Sequence, residues 1–245
     1  GESHLGLPQM YWYGITGETY TTVQKYLGPD LKALSQAQIG EFSKLPLWDL
    51  GTTAYLALKF IDILEHVHHA GLVHNDLKLE NLVLGLNQRD VYLIDFGAST
   101  DWKLPNQTLQ PMQEHVRKKA AVQTMPRSAL QKKTQYPKDD LESLGYVLLL
   151  IFAEDIPDAL WQADLGRRAH ALAQGYENFL RGVKSEQAQD RFAAHFRLIW
   201  TSSHREAVPY DAFRDVWRPA AHTNRSLLSW KALRLFDLHA KRSRS

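Results

Sequence analysis

His74-Asn75-Asp76-Leu77-Lys78-Leu79-Glu80-Asn81 is followed, fourteen residues after Asn81, by Asp95-Phe96-Gly97. The carboxylates of Asp76 and Asp95 and the carboxamide of Asn81 are hard oxygen donors, and Lys78 adds a cation. Such a set suits a hard divalent ion and an anionic group between two acidic loops. The loops are far apart in sequence, so the chain has to fold back to join them. Residues 82–84 and 91–94 are short, apolar and β-prone, with the polar 85–90 between them, and predict a small hairpin that does this. The 245 residues contain no cysteine, which excludes disulfides, thiolate zinc sites and cysteine nucleophiles.

The order and spacing H-x-D-x-x-x-x-N ahead of D-F-G resembles the signature set of the protein kinases. The resemblance implies phosphoryl transfer, in which a nucleophile is aligned and developing phosphate charge is neutralised. Asp76 would accept or orient the proton of a substrate hydroxyl, and Lys78 would stabilise the γ-phosphate. Asn81 and Asp95 would hold magnesium, so ATP and Mg²⁺ are the implied cofactors. Residues 139–148, Asp-Asp-Leu-Glu-Ser-Leu-Gly-Tyr-Val-Leu, are similar to the large central helix of the casein kinase 1 family. Leu27-Gly28-Pro29-Asp30-Leu31 resembles that family's hinge exit, and Leu160-Trp161-Gln162 its Pro-Trp-Gln. The likeness covers most of residues 5–218. It implies that Asp140 is structural, accepting backbone N–H bonds of the catalytic loop. It also implies that Gln24 is the gatekeeper, and that Lys25, Tyr26 and Leu27 form the hinge that holds adenine. The implied substrate is a protein Ser or Thr hydroxyl.

Several features depart from that pattern. Gly14-Ile15-Thr16-Gly17 lacks the spacing of a phosphate-covering glycine loop, and Lys25 falls at the hinge rather than on the strand that grips ATP. One expectation is that an upstream part of a longer or split polypeptide supplies these parts. The other is a non-catalytic pseudokinase acting as an interaction or regulatory module. The intact set Asp76, Lys78, Asn81 and Asp95 favours the first. Asn75 stands where the family has an Arg that pairs with an anion, and Gln123 replaces an anion-binding Arg. Both changes argue against control by a phosphate in the activation segment and against selection of already phosphorylated substrates.

The elements that must carry these loops give an α+β chain: a few strands, then many helices. Residues 10–27 are rich in Tyr, Thr, Trp and Val around Gly14 and Gly17 and predict a hairpin, broken by Gly28-Pro29. Apolar residues recur at three- and four-residue spacing from Leu47 to His69, predicting an amphipathic helix that Gly71 ends. Asp139 and Asp140 sit where N-caps belong, ahead of a buried helix through Phe152. Further helical patterns run through 163–180, 188–200 and 210–217. The expected division is residual N-lobe strands and hinge over 1–27, a mainly α-helical kinase C-lobe over 28–220, and a basic extension over 221–245.

Composition is that of a globular protein, 44% apolar and 23% charged, with a formal net charge of only +2. The absence of a signal-like or membrane-spanning run, with no cysteine, fits an intracellular protein, cytoplasmic or nuclear. Positive charge is nevertheless concentrated between residues 103 and 138, where Lys103, Arg117, Lys118, Lys119, Arg127, Lys132, Lys133 and Lys138 face only Glu114. That field predicts a preference for acidic protein substrates. His66, His68 and His69 fall at a helix end, where cations favour the macrodipole, and read as structural rather than metal-binding. His74 reads as a packed, loop-orienting residue, and the seven Trp as core. The missing N-lobe surface and the C-terminal extension are expected protein-contact regions; nucleic-acid contact through the basic tail is the weaker reading.

Overall fold

The computed structural model describes residues 5–39, 48–87, 90–103, 122–153, 165–201, 203 and 206–221. The Tyr- and Thr-rich stretch forms the expected antiparallel hairpin of β1 (Met10–Thr16) and β2 (Thr19–Gln24), with Tyr13 opposite Thr22 and Ile15 opposite Tyr20. Gly17 turns it at φ 63°, a left-handed conformation that costs glycine little. Helix α1 (Leu31–Ile39) follows, opened by Asp30, whose carboxylate accepts the Ala33 N–H at 2.8 Å. Helix α2 (Leu50–His69) is opened in the same way by Asp49, which accepts the Thr52 N–H at 2.8 Å and the Thr52 hydroxyl at 2.9 Å.

Beyond Gly71 the chain makes β3 (Leu72–Val73), a 3-10 turn (Leu79–Asn81), β4 (Leu82–Leu84), β5 (Val91–Leu93) and β6 (Thr100–Asp101). The expected hairpin is present, with Leu82 opposite Leu93 and Leu84 opposite Val91. A second antiparallel pair, Leu72 with Asp101 and Val73 with Thr100, closes the segment that contains both acidic loops. Two-residue strands carry too few residues to show a period, so this pair left no trace in the sequence pattern.

The remaining helices are α3 (Arg127–Leu130), α4 (Pro137–Phe152), α5 (Leu165–Ala173), α6 (Glu177–Leu180), α7 (Glu186–Trp200) and α8 (Tyr210–Trp217). Helices α2, α4, α7 and α8 pack around one core, in which Phe60, Leu64, Leu144, Val147, Phe192 and Phe213 are almost fully buried. Side chains of this size stabilise by roughly 1.5–3 kcal/mol each when removed from water. Gly145 allows α4 to approach α7: a Cβ there would lie 2.8 Å from the Phe196 ring and 2.9 Å from His195. Inside this core Trp217 donates to His195 Nδ1 at 3.1 Å, and His195 Nε2 donates to the Leu141 carbonyl at 2.9 Å. Burial pulls the His195 imidazole down to about 4, so it packs as a neutral ring.

Three expectations need correction. Asp139 and Asp140 are not N-caps but lie in the first turn of α4, because Pro137 presets its first helical residue. Asp139 reaches back to accept the Tyr136 N–H at 2.7 Å. The pattern over 163–180 is two helices rather than one, since Gly175 has φ 115° between them. The Trp residues are not uniformly core: Trp48 and Trp217 are buried, whereas Trp12 is 47% exposed on the hairpin. Trp161, the 160–162 likeness, the Arg117-Lys118-Lys119 run and the extension from 222 lie outside the described residues.

The basic stretch is also partly committed to structure. Lys138 is buried, and Lys103 donates to the His69 carbonyl at the end of α2 at 2.5 Å. Arg127 contacts the fully buried Glu142 at 3.2 Å and lies over the Trp200 ring at 3.8 Å. Glu142 also accepts the Tyr146 hydroxyl at 2.7 Å. Removing the Arg127 guanidinium takes the ion-pair partner at 3.2 Å from a fully buried carboxylate. Arg127→Ala should therefore lower stability in urea by about 3 kcal/mol, and Arg127→Ala with Glu142→Gln should recover most of it. Equal losses in the single and double variants would contradict this role.

Candidate active site

The site is built from the helical core outward. Asp140 is fully buried in α4, and its carboxylate accepts the backbone N–H groups of His74 at 2.7 Å and Asn75 at 2.9 Å. His68, in the last turn of α2, adds a third contact through Nε2 at 2.9 Å. Burial pushes the Asp140 carboxyl up, but the His68 hydrogen bond and the neighbouring imidazoles hold it, in net, below the usual carboxylate range. A carboxylate can only accept, so His68 Nε2 carries a proton, and Nδ1 lies 2.7 Å from the Tyr210 hydroxyl. Burial pushes that phenol above its ordinary range, so it remains a donor.

The anchored loop then presents its side chains. His74 Nε2 lies 3.0 Å from the Ile94 carbonyl, which fixes it as the donor, and Nδ1 accepts the Asp76 N–H at 3.3 Å. The His74 ring meets Phe96 edge-on at 4.9 Å. His74 thus orients the loop, as its position suggests. Asn75 has φ 68°, a left-handed conformation that Asn tolerates better than most residues. Its amide nitrogen donates to the Ala98 carbonyl and the Thr100 hydroxyl, both at 2.9 Å, tying this loop to the one that follows Asp95.

Asp76, Lys78 and Asn81 converge. Lys78 Nζ lies 2.5 Å from Asp76 Oδ2. Asn81 donates its amide to the Asp76 carbonyl at 2.8 Å and to Oδ2 at 3.3 Å, which leaves the Asn81 side-chain oxygen available to a cation. The Asn81 carbonyl accepts the Ile94 N–H at 3.0 Å. Asp95 therefore follows a residue bonded to Asn81 and precedes one packed on His74, which places its loop against that of Asp76. Asp95 is exposed, takes φ 64°, and one of its oxygens accepts the Gly97 N–H at 3.2 Å. The exposed Asp95 carboxylate and the carboxamide oxygen of the buried Asn81 are the donor types of a partial shell for a hard divalent ion completed by water and phosphate. Among the described residues no three His, Asp or Glu side chains gather into a metal cluster.

Gln24, Lys25, Tyr26 and Leu27 lie apart from this group. They leave the end of β2, the first three exposed, and no hydrogen bond or ion pair among the described residues joins them to Asp76, Asn81 or Asp95. They are tied instead to the hairpin and to β4: Lys25 donates to the Gln9 carbonyl at 2.8 Å, and Gly28 to the Leu84 carbonyl at 2.8 Å. A Cβ at Gly28 would lie 2.9 Å from the Leu84 carbonyl oxygen, so the close approach requires glycine. Since Asn81 adjoins the other end of β4, the link and the acidic loops are separated by roughly 10 Å of strand.

Three contributions escape a sequence reading. His66 and His69 at the helix end are exposed, whereas His68 between them is buried. The available signal is its position on the apolar face, four residues after Leu64. Tyr210 and the bridging role of Asn75 left no comparable pattern. Lys32 of α1 adds a surface tether to Glu80 at 2.6 Å, which raises the Lys32 amine.

Asp140 sets a pH dependence. Its folded pKa lies below the unfolded value of about 3.9, so its stabilisation is complete above that value and fades as pH falls through the folded pKa. Asp140→Asn should cost about 3 kcal/mol at neutral pH, and the gap from the native chain should narrow as pH falls below about 4. Urea unfolding at pH 7 and pH 3 measures both, and a pH-independent gap would refute the assignment.

The described helices include none that is long and apolar enough to cross a membrane. The family model of the protein kinase domain matches residues 36–191, more than half of the chain and a span that holds both acidic loops and their anchor. The chain belongs to the protein kinase family.

Proposed function

We propose that this chain is an ATP-dependent Ser/Thr protein kinase of the casein kinase 1 type, with Asp76 as the catalytic base. The observation that carries the reading is the meeting of Asp76, Lys78 and Asn81 in one loop that Ile94 and His74 stitch to the loop of Asp95. Bound Mg-ATP would supply the transferable phosphoryl group and the divalent charge. Asp76 would accept the proton of an incoming hydroxyl, and it is held in place through its own N–H and carbonyl. Lys78 would contact the γ-phosphate, and Asn81 and Asp95 would hold the metal. Gln24 would be the gatekeeper, with Lys25 to Leu27 holding adenine at the far end of β4. Asn75, a neutral residue already bonded to Ala98 and Thr100, supports a site assembled without a phosphate in the activation segment.

A second reading, a non-catalytic interaction module, has its own support. The β1–β2 hairpin exposes Tyr13 by 76%, Ile15 by 65% and Tyr20 by 85%, a concentration of apolar surface suited to a further polypeptide segment. An acidic-substrate preference rests on less than the sequence indicates, because Arg127 and Lys138 are committed to the interior; Lys132 and Lys133 remain exposed. Peptides with and without Asp beside the acceptor Ser should differ in rate, and Lys132→Glu with Lys133→Glu should narrow the difference.

Phosphate transfer from Mg-ATP to a protein acceptor by this chain, and by any longer form, decides between the two readings. Asp76→Asn and Asp95→Asn should each lower the rate by about a hundredfold or more, since each removes a group acting on transition-state charge. Asp95→Asn should also abolish the magnesium-dependent thermal stabilisation by ATP while the unliganded melting temperature changes little. Absence of transfer by every form would leave the module reading standing.

A further inference from the structure

A cavity of about 760 Å³ opens between the last turn of α2, the start of α4 and the segment entering α8. None of the proposed catalytic, metal or hinge residues lines it. Its volume lies within the range of small-molecule sites. Trp102, Tyr136 and Tyr210 supply aromatic walls, and the formally charged side chains in its lining, Glu65, Glu206 and Asp211, are all carboxylates. Arg214 answers Glu65 and Asp211 from α8, whereas Glu206 is exposed and lies within the field of Lys138.

Tyr210 also begins the chain of contacts that holds the catalytic loop. Its hydroxyl bonds His68 at 2.7 Å, His68 bonds Asp140 at 2.9 Å, and Asp140 holds the His74 and Asn75 N–H groups. The Trp102 indole donates to the His68 carbonyl at 3.2 Å, so a second wall residue grips the same histidine.

We infer that this cavity binds an organic cation with an apolar body, a guanidinium or ammonium group on an aryl or alkyl stem, and that occupancy steadies the catalytic loop through Tyr210 and His68. Aromatic faces attract such a cation and an apolar stem together, and Glu206 adds the matching charge. A ligand packed on Tyr210 restricts its ring, and with it the hydroxyl that fixes His68 and hence Asp140. The binding is independent of the proposed phosphotransfer; only its regulatory consequence rests on that reading.

Calorimetric titration of the full chain with phenethylguanidinium, the neutral phenethylurea and a capped Phe-Arg-Ser-Arg peptide tests this. At least one of the two cations should bind saturably, about fivefold or more tighter than the urea. Glu206→Gln should weaken it about three- to fivefold, and about 0.5 M salt should weaken it further. Tighter binding of the peptide would assign the cation to an Arg of a protein partner, and tighter binding of the free guanidinium to a small amine; both support the site. Hydrogen exchange at the His74 and Asn75 amides should slow when the cation is bound. In Tyr210→Phe, which keeps the ring and loses the hydroxyl, binding should persist while that slowing disappears. Should this variant not fold, Ala207→Trp fills the cavity from an exposed position and should abolish both effects. No saturable binding of either cation, or equal binding of the urea, overturns the site. Unchanged exchange in the native chain overturns the coupling. Loss of phosphotransfer with both effects intact would count against the kinase activity alone.

Discussion

Backbone N–H groups buried in a loop need acceptors, and a carboxylate buried in the first turn of a helix needs donors; at His74, Asn75 and Asp140 the two needs meet. Neither partner is stable alone in that interior. The contact therefore fixes the loop on the helical core, and every functional distance downstream inherits its position. His68 and Tyr210 extend the anchor to α2 and α8, so three of the four core helices share in holding one loop.

Asp139 and Asp140 show how local surroundings divide the roles of identical neighbours. Burial pushes the Asp139 carboxyl up to about 7, while Asp140, just as deeply buried, is held below the ordinary range by its His68 and backbone donors. A single residue of helix rotates one side chain toward the catalytic loop and the other back to the Tyr136 N–H. From the anchor, two left-handed residues complete the geometry. Asn75 and Asp95 turn their loops toward each other, and the Asn75 amide closes the gap by bonding Ala98 and Thr100. Such conformations persist where surrounding bonds over-determine them.

Periodic elements were legible because burial imprints a period on the sequence. The helices ending at His69, Trp200 and Trp217 agree with their apolar spacing, and the hairpins at 10–24 and 82–93 with their β-prone composition between turn residues. The acidic loops were legible for another reason: a motif of fixed residue types at fixed separations is read from the sequence alone. Features that depend on a few residues were not legible. The β3–β6 pair is two residues long, the break at Gly175 turns on one φ angle, and Trp12 has the composition of a core residue without its burial. Formal charge overstates the exposed positive field. Arg127 and Lys138 contribute to the formal field of the 103–138 stretch, yet one faces Glu142 and the other is buried.

Residue identity and spacing by themselves determined which groups are available, Asp76, Lys78, Asn81 and Asp95, and that a short hairpin separates them, since both facts are local. Tertiary structure alone decided that His68 and Tyr210 belong to the support of that loop, that Asn75 bridges it to its neighbour, and that an aromatic cavity abuts the same chain of bonds. The bonds from His68 and Asn75 span 23 to 142 positions of chain. Only the packing of α2, α4 and α8 brings their partners within reach, and no local pattern records a contact made at that distance.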